Sequence, residues 1–379
     1  MNAKHGDLRD EQVLTMATHE QLLSTGMWWD PPWWDDSALA VNAGSNIEEV
    51  RELIEVLKRY FDSDWTRKAA QDGRANAIIR FLWNGTGIWP LQDLLRLAHV
   101  MRRLDNAEGL GKKLSDLVGH KSHSTFFEFC IASRLAEPGC SVEFLPESND
   151  ARTPDLRVRE GTYSFDVECK NLERDQWELW VQRLQADVIR PIGVGSGWNG
   201  IEVNVELSSR LSDLHFIDKK GDDGLSSAIR DEIAARIENQ ISEVDISKLP
   251  HEVSMPGVAR IRVQERVADG VGGSVGGIEI SPVAKLRKII VNGVLPALGQ
   301  LAASECGIVA VRSEHLPDAL LFEIAMDALA KAKPDAMSRI AGVALFSPIQ
   351  PEIFWTSKTK EAAADFMAYF GKNNARLSS

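Results

Sequence analysis

Apolar residues along this chain fall into blocks of two different periods. Ile47, Val50, Leu53, Ile54 and Leu57 repeat at the three-and-four spacing of an amphipathic helix, and Ser45 with Glu48 forms a capping box at its start. Helical spacing returns over 75–83 and over 91–104, the second block opening just after Pro90, where a first-turn proline forfeits no hydrogen bond. Ahead of them, Pro31 and Pro32 interrupt a run holding Trp28, Trp29, Trp33 and Trp34 and preclude a regular helix. Those indoles read as a lid packed on the adjoining helices. Residues 1–115 are therefore expected to form an all-helical domain.

From about residue 116 the period changes. A helix over 124–136 precedes short β-rich runs at 141–145, 155–159 and 163–170, then a helix near 174–189, a strand at 200–206, a helix over 225–241 and a strand at 258–263. A glycine-rich connection, 268–277, leads into a helix over 283–303, a strand at 307–312, a helix over 319–331 and a strand at 341–346. Helices and strands in this alternation build a mixed α/β domain, assigned to 116–379. Residues 118–379 are expected to fold as a separate fragment.

Composition supports more than one core, since 379 residues at 44% hydrophobic content exceed the roughly 250 to 300 residues at which single cores stop growing. Cys130, Cys140, Cys169 and Cys306 lie far apart, without the paired spacing of a zinc ribbon or the density of a secreted disulfide scaffold. Neither an apolar leader at the N-terminus nor a run of about 18 apolar residues is present. These features predict a soluble, unprocessed cytoplasmic protein that does not enter membranes. The net charge of −12 argues against a general nucleic-acid coat, but it is uneven. Residues 1–64 carry 13 acidic and 5 basic side chains, a balance of −8, which leaves −4 for the remainder. That remainder can still present a basic groove.

The chemistry concentrates in TPDLRVREGTYSFDVECKNL. Asp155 follows Pro154, and Glu168-Cys169-Lys170 begins 13 positions downstream. An acidic-x-Lys triplet occurs twice in the chain, here and at Asp218-Lys219-Lys220, and only this one follows a Pro-Asp on a neighbouring strand. Side chains alternate across a strand, so Ser164, Asp166, Glu168 and Lys170 share one face while Tyr163, Phe165, Val167 and Cys169 share the other. With Asp155 entering from the preceding strand, the charged face suits Mg²⁺ or Mn²⁺, hard ions that prefer oxygen. On the preceding helix, Glu128 sits among Phe126, Phe127 and Phe129, with Ile131, Ala132 and Leu135 as apolar neighbours. A carboxylate on such a face requires a partner, Arg134 or a nearby lysine, or a metal.

The order of helix with glutamate, strand, Pro-Asp strand and strand ending in Glu-x-Lys resembles the restriction-endonuclease-like core of the PD-(D/E)XK nucleases, over about residues 118–205. The resemblance implies a mixed sheet flanked by helices, with Asp155 and Glu168 as metal ligands and the backbone carbonyl of Cys169 as a further ligand. It makes Lys170 the water-orienting residue and gives Glu128 the place of an acidic first-helix residue reaching the ion, directly or through water. A glutamine that some branches carry after the lysine strand could be Gln176, Gln182 or Gln185, which leaves the branch open.

The implied function is a Mg²⁺- or Mn²⁺-dependent phosphodiesterase, an endonuclease acting on DNA ahead of RNA. The alternative is an inactive nuclease fold serving as a binding or scaffolding module, with a protein partner on the helical domain or a second copy of the chain. Other signals weigh less. Gly272-Gly273-Ser274-Val275-Gly276 fits a nucleophile elbow, but a strand, not a helix, should follow it. His120 and His123 precede the Glu128 helix and are read as flanking it. No HExxH, P-loop or dinucleotide fingerprint occurs.

Overall fold

The computed structural model describes residues 47–62, 65, 88–117, 121–136, 140–147, 153–172, 180, 181, 184, 201–208, 211, 227–265, 275–279, 282–347 and 351–357. Its helices are α1 (Ile47–Tyr60), α2 (Ile88–Arg103), α3 (Leu110–Lys113), α4 (Ser122–Leu135), α5 (Ser227–Ser242), α6 (Pro282–Lys288), α7 (Leu295–Gln300), α8 (Ala319–Ala332) and α9 (Pro334–Met337). Its strands are β1 (Cys140–Phe144), β2 (Leu156–Glu160), β3 (Tyr163–Asn171), β4 (Ile201–Leu207), β5 (His251–Met255), β6 (Ala259–Glu265), β7 (Val275–Glu279), β8 (Gly307–Arg312), β9 (Ile340–Phe346) and β10 (Pro351–Thr356). Among the described residues no helix is long and apolar enough to cross a membrane. The tryptophan run, the helix expected over 75–83, His120, Ser274 and the Asp218 triplet lie outside the described residues, as do Gln176, Gln182 and Gln185.

The chain is α/β, with a mixed six-stranded sheet ordered β1-β2-β3-β8-β9-β10. Strands β1, β2 and β3 form an antiparallel meander, β8 runs parallel to β3 and β9 parallel to β8, and β10 closes the edge antiparallel to β9. The central strand β8 is buried on both faces apart from its last residue, which explains why GIVAVR is an almost continuous apolar run. Its alternation divides two cores: Ile308 and Ala310 join one, Val309 and Val311 the other.

The first core lies under α1, α2 and α4. Val50, Leu53 and Leu57 of α1 and Leu97, Ala98 and Met101 of α2 belong to the same apolar cluster as Phe127, Phe129, Val158, Val167 and Phe346. The helices on the N-terminal side of residue 115 and the sheet beyond it thus share one interior. Glu48 and Glu49 in the first turn of α1 and Lys58 and Arg59 in its last complement the helix dipole. The link from α2 to α3 is fixed on β1, where Phe144 N–H donates to Glu108 O at 2.8 Å. Gly109 there has φ of 81°, and a Cβ in its place would meet Phe144 O at 2.4 Å. Only glycine tolerates both demands, and α3 follows immediately.

Between β3 and β8 the chain builds a second, four-stranded sheet ordered β5-β6-β4-β7, with its own core. Ile233, Ile237 and Ile241 of α5, four residues apart, pack there with Val203 and Val205 of β4 and Ile261 and Val263 of β6. Four expectations change here and nearby. Strand β5 was not anticipated, and the glycine-rich connection becomes strand from Val275, running parallel to β4. The expected helix over 283–303 contains a π turn, Ile289–Val294, between α6 and α7, and ends in a 3₁₀ turn. Strand β10 was not anticipated either; it begins with a proline, which the first position of an edge strand accommodates.

Candidate functional site

Asp155 stands one residue before β2, and its backbone is held from both sides. Its N–H donates to Val167 O at 3.1 Å on β3, and its carbonyl accepts from Leu145 N at 3.0 Å beyond β1. Its carboxylate Oδ2 accepts the backbone N–H of Cys169 at 2.7 Å. The meander therefore brings Pro-Asp against Glu-Cys-Lys by ordinary strand pairing, as the sequence pattern requires.

The faces of β3 divide as expected. Val167 and Cys169 enter the first core, whereas Lys170 Nζ donates to Gln300 Oε1 of α7 at 2.5 Å. Asp166 shares the charged face but is fully occupied, accepting Arg157 Nε at 2.9 Å and Ser304 Oγ at 2.7 Å. Glu168 differs. It is 0% exposed, Lys170 Nζ lies 2.5 Å from its Oε1, and its Oε2 has no hydrogen-bond partner.

Glu128 is also buried, on α4 between Phe127 and Phe129, and its Oε2 lies 2.8 Å from Lys113 Nζ. The partner is thus a lysine of α3 instead of Arg134. Arg134 is instead stacked over Phe346, 5.9 Å from the ring centroid. Burial raises the carboxyls of Glu168 and Glu128 to about 8, with the neighbouring Asp155 charge adding to it, against the pull of Lys170 and Lys113 respectively. Asp155 is raised as well, by burial above all, opposed by the Cys169 N–H and by both lysines. The Asp155 charge raises both glutamates and Glu128 raises Glu168 further, which leaves these carboxylates short of positive charge.

A pocket of about 590 Å³ opens here, lined by Glu128, Asp155, Glu168, Cys169, Lys170 and Gln300 among others. Lys121 and Glu147 also line it, paired at 2.7 Å. The Cys169 thiol is buried and its pKa is pushed well above the ordinary value by burial, so it is no nucleophile. His123 is exposed and does not line the pocket. The expected site residues Glu128, Asp155, Glu168, Cys169 and Lys170 are thus brought together.

Among the described residues no three His, Cys, Asp or Glu side chains form a metal cage. Mg²⁺ does not require one, because it keeps several waters and takes one or two carboxylates plus substrate oxygens. Asp155 and the unpartnered Oε2 of Glu168 supply two hard oxygen donors, so the residues present fit such an ion. Sequence reasoning missed Lys113 and Gln300. Neither lies in a motif, and Gln300 is 130 residues from the lysine it meets. The chain matches no protein-family model, no curated protein and no solved structure.

Proposed function

We propose that this chain is a metal-dependent nuclease that hydrolyses phosphodiester bonds, in DNA ahead of RNA, using Mg²⁺ or Mn²⁺. The observation that carries this reading is the Glu168 carboxylate, fully buried with one oxygen unpartnered, beside Asp155 and Lys170 in an open pocket. A buried carboxylate oxygen without a hydrogen bond costs stability unless a cation or a proton completes it. The order that underlies the resemblance to PD-(D/E)XK nucleases is present as consecutive elements, α4, β1, β2 and β3, with their acidic residues at one pocket.

A bound divalent ion supplies charge stabilisation at phosphate oxygens and acidifies a water. The protein's own groups do the rest. Asp155 and Glu168 would hold the ion, with the Cys169 carbonyl as the further ligand that the resemblance implies. Lys170, held by Gln300 at one side and Glu168 at the other, would orient the attacking water. Its ammonium is a donor only, so positioning, not proton abstraction, is its role. Glu128, which lines the same pocket, would reach the ion through water. A purely scaffolding role gives no physical reason to leave one oxygen of the buried Glu168 carboxylate without a partner.

The test is incubation of the purified protein with plasmid, single-stranded DNA and RNA, each with Mg²⁺, Mn²⁺, Ca²⁺ or EDTA. Cleavage of DNA with Mg²⁺ or Mn²⁺ and none with EDTA is expected. Cleavage that survives EDTA, or none with any metal, removes the proposal.

A further inference from the structure

Beyond the four residues of the motif, one buried cation stands inside the acidic cluster. Lys113 Nζ is 2.8 Å from Glu128 Oε2, 3.6 Å from Asp116 Oδ2 and 3.8 Å from Glu147 Oε1, with its side chain 8% exposed. We propose that Lys113 is the built-in counter-cation of this carboxylate cluster, a positioning residue that holds Glu128 and limits the pocket to one divalent ion instead of two. The inference rests on the metal-site reading above and concerns the number of ions.

Charge arithmetic supports it. The carboxylates of Asp116, Glu128, Glu147, Asp155 and Glu168 face the ammoniums of Lys113, Lys121 and Lys170, and every one of these lysines is ion-paired within the group. Once a bound ion displaces the protons from Glu128 and Glu168, five negative charges against three positive leave two, which one divalent ion neutralises. A second ion would bring an excess of positive charge into a partly buried site. Without Lys113, three negative charges remain. Asp116 and Glu147 are partly exposed and, like Glu128, lie within 4 Å of the Lys113 ammonium, so in its absence the three could close on a second hard cation.

The placement of Lys113 is also built in, not incidental. Gly109, the only residue type that fits against Phe144, sets the start of α3, and Lys113 N–H donates to Gly109 O at 3.1 Å. The lysine is thereby fixed one turn from a point anchored on β1.

The experiment counts Mn²⁺ bound to the full chain by equilibrium dialysis with electron paramagnetic resonance detection of free ion. Wild type and Lys113→Arg should each bind one ion, and Lys113→Gln two. Two ions on the wild type overturn the proposal whatever the variants do. One ion on a folded Lys113→Gln, its thermal midpoint in EDTA confirming the fold, overturns it as well, while leaving the metal site standing. No ion on the wild type would instead refute the metal-site reading on which this rests.

Discussion

The backbone N–H of Cys169 donates to Asp155 Oδ2 at 2.7 Å, and this one bond joins the Pro-Asp turn to the strand that carries Glu168 and Lys170. The lysines act on the Asp155 carboxylate through their charge, and its own charge raises the carboxyls of Glu168 and Glu128. Asp155→Asn keeps an oxygen acceptor for Cys169 but deletes that charge. The variant should fold, and the Glu168 and Glu128 carboxyls should titrate below about 8, where they stand in the wild type. Carbon-13 NMR titration of the glutamate carboxyls measures this, and unchanged midpoints would show that Asp155 does not govern them.

The same shifts set a pH dependence. Glu168 and Glu128 rise from 4.5 to about 8 on folding, so between these limits the folded state binds more protons than the unfolded chain. Their contribution to stability is full below the lower limit and is lost as pH rises through the upper one. A divalent ion competes with those protons. Thermal stabilisation by Mn²⁺ should therefore be small at pH 5 and grow towards pH 8, reaching about 2.7 kcal/mol at 100 times the dissociation constant. Equal stabilisation at both pH values would contradict the assignment of these carboxylates to the metal.

Gly109→Ala should be costly for two reasons at one position. A left-handed φ and a Cβ at 2.4 Å from Phe144 O both oppose it. A loss of at least about 1–3 kcal/mol is expected from backbone strain alone. Denaturant unfolding measures it, and a loss below about 0.5 kcal/mol would mean that α3 can dock another way.

Leu57 of α1 is fully buried in the core that also holds Phe129 and Phe346. Leu57→Ala should cost about 2–5 kcal/mol. Because the interior is shared, the loss should lower the same transition that Mn²⁺ raises. Two separate transitions, of which only one responds to the substitution, would assign α1 to an independent domain.

Much of the site was legible because it is local. A hairpin with Asp155 ahead of one strand and Glu168 and Lys170 at the end of the next follows from strand period alone, and β1, β2, β3 and α4 fall within two residues of expectation. Lys113 and Gln300 were not legible, since one reaches the site through a glycine-set turn and the other through a helix whose π turn breaks the period. The strand β5, HEVSM, is short and mostly polar, with only Met255 fully buried, so its pattern was too weak to stand out. A strand was expected after the glycine run, but β7 already begins at Val275, where pairing with β4 holds Gly276 and Gly277 in the sheet.

The central claim, that this pocket performs metal-dependent hydrolysis with Lys170 placing the water, is tested most directly by the rate of DNA cleavage by Lys170→Ala against wild type at saturating Mn²⁺. Metal saturation of both is confirmed by thermal shift. The account predicts that the wild type cuts, and that Lys170→Ala binds the ion at least as well yet cuts at least about 100-fold more slowly. Equal rates for the two proteins, or no cleavage by the wild type, would contradict it.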